Sequence, residues 1–83
     1  MTCIIVDDEP LARQGMELNI ANVSILQLLG SFSNALAASD FLRKENVDLM
    51  FLDINMPELS GLDFLKSLRD APMVIFTTAY PQY

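Results

Sequence analysis

The sequence predicts an α/β protein built on a doubly wound parallel sheet of strand order 2-1-3-4, and three observations carry that reading. Short apolar runs at residues 3–6, 25–29, 49–52 and 73–77 are continuous or nearly so rather than alternating, as strands covered on both faces are. The segments between them carry helix-start residues and apolar residues at helical spacing. The order is therefore β-α-β-α-β-α-β with short connections, which right-handed crossovers wind into a parallel sheet. The first and third runs also end in acids, Asp7-Asp8-Glu9 and Asp53, and the 2-1-3-4 order makes those two strands neighbours.

The first run, residues 3–6, is rich in β-branched residues and too short for a helix, and Cys3 within it fits as a small buried hydrophobe. Pro10 is placed to start a helix to about Asn19, with Leu11, Leu18 and the small Gly15 between them on its inner face. Residues 25–29 form the second strand, ended by Gly30, and the interior Gln27 points to a sheet edge. Asn34 caps a second helix in which Ala38, Phe41 and Leu42 share a face; Arg43 and Lys44 sit near its C-terminus, where the dipole favours cations, and it ends near Glu45-Asn46. The third strand spans residues 49–52. Ser60 with Asp63 then makes a capping-box-like start to a third helix with Leu62, Leu65 and Leu68 inward, and Pro72 opens the fourth strand, Met73 to Thr77.

At 83 residues and 52% hydrophobic content the chain reads as one globular unit without room for a second domain. No apolar run approaches the ~20 residues that span a bilayer, and the N-terminus meets two acids with no basic leader, so a cytoplasmic protein without a membrane segment is expected. One cysteine excludes an internal disulfide, and the absence of histidine removes the usual zinc and copper ligands. A net charge of −6 and a pI near 4.1 argue against direct nucleic-acid contact, because phosphate backbones are repelled. There is no internal repeat, low-complexity stretch or linker.

Asp7, Asp8 and Asp53 fall at the C-terminal ends of strands one and three, the switch point where such sheets bind ligands. Taken singly, Asp7 and Asp8 are equally well a strand end and a helix-capping acid, and Asp53 a solvated loop acid. Together they repel, and keeping all three ionised at neutral pH calls for a cation. Mg²⁺ suits them, because it takes oxygen ligands and bridges carboxylates to phosphate; Mn²⁺ would serve similarly, and the backbone carbonyl of Asn55 offers a further oxygen. Pro57 and Gly61 shape the loop before the third helix, and Met56 is the one methionine inside the motif.

Val6-Asp7-Asp8-Glu9-Pro10, then Leu52-Asp53-Ile54-Asn55-Met56-Pro57 with Gly61, then Ile75-Phe76-Thr77-Thr78-Ala79, resemble the receiver domain of bacterial two-component response regulators over the whole chain. Asp8-Glu9-Pro10-Leu11-Ala12-Arg13 and Thr78-Ala79-Tyr80 resemble its LytTR branch in particular. The resemblance implies a flavodoxin-like (CheY-like) fold and a signalling phosphoacceptor rather than an enzyme. Asp53 would take a phosphoryl group from the phosphohistidine of a sensor histidine kinase. Asp8, Asp53 and the Asn55 carbonyl would bind Mg²⁺ directly, with Asp7 assisting, often through water. Thr78 matches the switch hydroxyl that bonds a phosphate oxygen; strand alternation turns Thr77 the other way. In the intact family the phosphorylation state switches an output, here transcription through a C-terminal DNA-binding domain.

The pattern breaks at Tyr83, before the family's fifth strand and last two helices, so the sequence reads as the N-terminal part of a receiver. The lysine that ends the fifth strand is absent, and all basic residues (Arg13, Arg43, Lys44, Lys66 and Arg69) fall in predicted helices. Strand four is left with an open apolar edge, from which self-association is expected. A receiver-fold dimerisation fragment deficient in phosphotransfer is therefore the alternative function. A Mg²⁺-dependent phosphohydrolase ranks below it, because Asn55 stands where a general acid or base is needed. Flavin binding lacks its phosphate loop after strand one, where acids stand instead.

Overall fold

The first strand, β1 (Thr2–Val6), lies at the centre, pairing in parallel with β2 (Gln27–Phe32) on one side and β3 (Leu49–Asp53) on the other; β4 (Met73–Thr77) lies beyond β3. The computed structural model describes residues 1–77, and the sheet order in them is β2-β1-β3-β4, as the sequence predicts. Side chains alternate across β1. Ile4 and Val6 bury against Met50, Leu52, Ala38 and Phe64 on the side of α2 (Ala35–Lys44) and α3 (Gly61–Ser67). Cys3 and Ile5 bury against Leu49 and Ile20 on the side of α1 (Pro10–Ala21). Both faces of β1 are dry, which is why its sequence is continuously apolar.

The helix starts follow local chemistry. Pro10 opens α1, the Asn34 side chain accepts from the Ala37 N–H at 2.9 Å, and Ser60 Oγ accepts from the Asp63 N–H at 3.2 Å. In α2, Ala38 is buried with Phe41 and Leu42 packed beside it, and Arg43 and Lys44 occupy the last turn, as expected.

The inner face of α1 differs from expectation. Leu11 and Leu18 are 79% and 69% exposed, whereas Ile20 is buried and Met16 packs beside it on the sheet. The helix carries apolar residues on both sides, so spacing alone did not select the stripe. Leu65 in α3 and Leu68 at its C-cap pack inward as expected, but Leu62 is 49% exposed and Phe64, at 1%, fills the core position. An aromatic ring that large excludes more water than a leucine in the same gap.

Gly30 does not end β2; it lies within it. Cys3 pairs with Leu28 and Ile4 with Gly30, so Leu29 is the extra residue of a bulge, a common device on an edge strand. A Cβ on Gly30 would stand 2.8 Å from the Phe32 ring, which in turn lies 5.2 Å from the Phe41 ring. Glycine is there to let that ring fold over the strand. Gln27 does lie on an edge strand, at its exposed first position.

Candidate functional site

Asp7 directly follows β1 and extends its ladder, its N–H donating to the Phe32 carbonyl at 3.0 Å. Its carboxylate accepts from the Glu9 N–H at 2.9 Å, an Asx turn that bends the chain into α1. Its carbonyl accepts from the Arg13 guanidinium at 2.8 Å. Asp53 is the last residue of β3, and its Oδ1 accepts from the Asn55 N–H at 3.1 Å, the same turn repeated after the neighbouring strand. Two parallel strands ending in matching turns aim their acids at one point. Asp7, Asp8 and Asp53 each offer a carboxylate oxygen, and these lie within 4.8 Å of one another.

The loop after Asp53 is held by backbone geometry. The Ile54 N–H donates to the Thr77 carbonyl at 3.1 Å, and the Gly61 N–H donates to the Ile54 carbonyl at 2.9 Å. A Cβ on Gly61 would stand 2.2 Å from the carbonyl oxygen of Asp53, so only glycine allows α3 to start this close to the acid. Met56 packs on the core from within the loop. After Pro57 the chain turns tightly, the Leu59 N–H donating to the Pro57 carbonyl at 2.7 Å with Glu58 at φ 71°, a left-handed value uncommon outside glycine.

Asp7 and Asp53 are buried, at 7% and 6% exposure, while Asp8 is half-buried. The Asp53 carboxyl is pushed up to about 6 from an ordinary 3.8. Burial is the largest cause, partly opposed by the Asn55 N–H; the charge of Asp7 and the hydrogen bond and charge of Asp8 push it further up. A cleft of about 370 Å³ opens over these acids, bordered also by Glu9, Asn55 and Thr77. Three hard oxygen donors that repel one another fit a divalent cation of the Mg²⁺ class.

The sequence-predicted site residues Asp7, Asp8 and Asp53 are thus brought together, and Asn55 borders their cleft. Thr78 lies outside the described residues. Thr77, expected from strand alternation to turn the other way, pairs with Asp53 and is itself among the residues bordering the cleft. Arg13 has no site role in the sequence reading, yet it reaches back to the Asp7 carbonyl. The available signal was its place early in a helix just after the acids, since helical side chains lean toward the helix N-terminus.

Among the described residues no helix is long and apolar enough to cross a membrane. A transcriptional regulatory protein, BtsR, of Escherichia coli K12 is 38% identical over 82 residues, covering 96% of this chain and 34% of that protein. A response regulatory protein of Shewanella oneidensis is 35% identical over 85 residues, covering 100% of this chain and 36% of that protein. The chain thus spans about a third of the length of these relatives. The crystal structure of the response regulatory domain of mrkE from Klebsiella pneumoniae superposes with a TM-score of 0.83 at 36% identity, covering 99% of this chain and 70% of that one. The response regulator domain of Thermotoga maritima CheB gives 0.83 at 26% identity, covering 95% and 60%. Residues 3–83 match the family model of the response regulator receiver domain, and with the parallel sheet and its acidic switch point on the same footing, the chain belongs to that family of two-component signalling modules.

Proposed function

We propose that this chain is a phosphoacceptor in which Asp53 takes a phosphoryl group from the phosphohistidine of a sensor histidine kinase. The supporting observation is the convergence of Asp7, Asp8 and Asp53 within 4.8 Å at the ends of β1 and β3. An Asp53 carboxylate oxygen forms the new bond to phosphorus, the bond from phosphorus to the donor imidazole nitrogen breaks, and its electron pair returns to the imidazole. Asp8, Asp53 and the Asn55 carbonyl would hold Mg²⁺, with Asp7 assisting. When bound, Mg²⁺ neutralises charge on the carboxylates and the transferring group.

The Asn55 N–H donates to one oxygen of the Asp53 carboxylate and so fixes the direction of the side chain at the cleft. The role is that of a signalling switch rather than an enzyme with its own substrate. In a longer protein of the kind its relatives represent, the phosphorylation state would control an output, and the relative named a transcriptional regulator makes transcription through an attached DNA-binding domain the natural one. Such a module works in the cytoplasm. The net charge of −6 leaves DNA contact to the attached domain.

Intact mass after incubation with acetyl phosphate, with and without Mg²⁺, tests the reading alongside Asp53→Asn. A single phosphoryl adduct requiring both Mg²⁺ and Asp53 is expected; no adduct on a folded chain would overturn it. The second reading, a receiver-fold fragment that associates without phosphotransfer, is favoured by the exposed Met73, Ile75 and Phe76 on β4. It would then be the surviving one.

A further inference from the structure

Arg13 is the basic residue that the topology brings to the acidic end of the sheet. Arg43 and Lys44 end α2, while Lys66 lies in the last turn of α3 and Arg69 just beyond it, so they fall toward the opposite end. Arg13 is half-buried, and its Nη1 donates to the Asp7 carbonyl at 2.8 Å. Its backbone N–H donates to the Glu9 carbonyl at 3.0 Å, so the side chain and the main chain of one residue grip both ends of the turn. The carbonyl it holds belongs to the peptide between Asp7 and Asp8. That unit is planar, so fixing its oxygen also fixes where the nitrogen and Cα of Asp8 lie.

We infer that Arg13 is a positioning residue of the site: by clamping the Asp7–Asp8 peptide it keeps the two acids convergent on Asp53 against their mutual repulsion. The contact is a charge-assisted hydrogen bond from the guanidinium to the backbone. The other bonds of the turn hold Asp7: its N–H to Phe32 and its carboxylate to Glu9. Arg13 extends that hold to Asp8, the half-buried member of the three. This deepens the proposed function, and rests on it only for the metal readout below.

Positioning and simple electrostatics predict opposite signs. Removing a positive charge near three carboxylates should tighten cation binding if charge alone matters. Losing the clamp should weaken it, by about tenfold on the scale of residues that orient metal ligands. Mn²⁺ affinity, followed by the loss of the free-ion paramagnetic resonance signal, is therefore to be measured for the 83-residue chain, Arg13→Ala, Arg13→Lys and Arg43→Ala. We expect Arg13→Ala to bind about tenfold more weakly, Arg13→Lys to recover most of the loss, and Arg43→Ala, which removes the same charge from a surface pair, to bind at least as tightly. Unchanged or tighter binding by a folded Arg13→Ala overturns the inference. If Arg13→Ala does not fold, a folded Arg13→Gln is judged by the same criterion.

Hydrogen exchange in the metal-free protein supplies the second readout. The Glu9 amide, bonded to the Asp7 carboxylate, should exchange about tenfold faster in Arg13→Ala while amides of the central strand β1 keep their protection. Should the parent chain take up no Mn²⁺, the metal reading falls while this measurement still decides the role of Arg13. An unchanged Glu9 rate overturns it.

Discussion

Asp53 is buried among like charges, and its carboxyl is pushed up to about 6 chiefly by that burial. Because the folded value lies above the ordinary 3.8, folding takes up a proton between these values, and metal-free stability falls as pH rises from 3.8 to about 6. Above that range the ionised side chain opposes folding. We therefore expect Asp53→Asn to stabilise the metal-free protein at neutral pH by on the order of 1–3 kcal/mol. Little gain is expected at acid pH, where the carboxyl is already neutral. Urea titration of both proteins at several pH values checks this, and a destabilised variant at neutral pH would contradict it. Mg²⁺ should reverse the ranking by raising the melting temperature of the parent more than that of the variant. Gly61 makes a steric rather than an electrostatic demand. Gly61→Ala places a Cβ against the Asp53 carbonyl and should cost about 1–3 kcal/mol in urea unfolding, with slower phosphorylation because the backbone of the acceptor must shift.

At the scale of elements, each helix is held by a few side chains that spacing alone did not always pick out. Phe64 anchors α3, and Phe64→Ala should destabilise by about 3–5 kcal/mol. The neighbouring Leu62→Ala, removing an exposed side chain, should stay within about 0.5 kcal/mol. Parallel thermal or denaturant unfolding of the two variants tests the corrected face of the helix; comparable losses would restore the leucine stripe. In α2 the Asn34 cap and the buried Ala38 were both legible, because capping chemistry is local and the apolar stripe was unambiguous. In α1 apolar residues stand on both sides, and only the docked helix shows that Met16 and Ile20 face the sheet. From the sequence Gly30 ends the second strand, yet it lies inside β2, because a strand-ending glycine and a bulge glycine under an aromatic ring look alike until the ring is placed.

For the whole molecule, the position of β4 matters most. Among the described strands it forms one edge of the sheet, and Met73 and Ile75 are 61% and 48% exposed on it. The opposite edge, β2, is protected by its bulge. Among the described residues no strand pairs with the outer side of β4, and an open edge beside apolar side chains favours addition of a second copy. We expect sedimentation velocity to show concentration-dependent association, which Ile75→Lys should weaken without loss of helical signal. A chain that stays monomeric at all concentrations would overturn this reading. The acids stand at the C-terminal ends of β1 and β3, next to the end of β4 at Thr77, so the two tests use different residues: Ile75 for association and Asp53 for phosphorylation.

Element order, strand order and the convergence of Asp7, Asp8 and Asp53 were determined by the sequence alone. The reason is that doubly apolar runs and helix caps call for a parallel doubly wound sheet, and of its common strand orders 2-1-3-4 is the one that makes the two acid-ended strands neighbours. Met56, Pro57 and Gly61 were likewise recognisable as loop residues, although the close approach that demands glycine was not. Only the tertiary structure decided which face of α1 is buried, that Phe64 rather than Leu62 fills the core, that Gly30 lies inside β2, and that Arg13 reaches back to the Asp7 carbonyl. The first three depend on contacts between segments distant in the chain, which local spacing does not encode; the last depends on the rotamer of a long side chain, for which the lean toward the helix N-terminus is the one local signal.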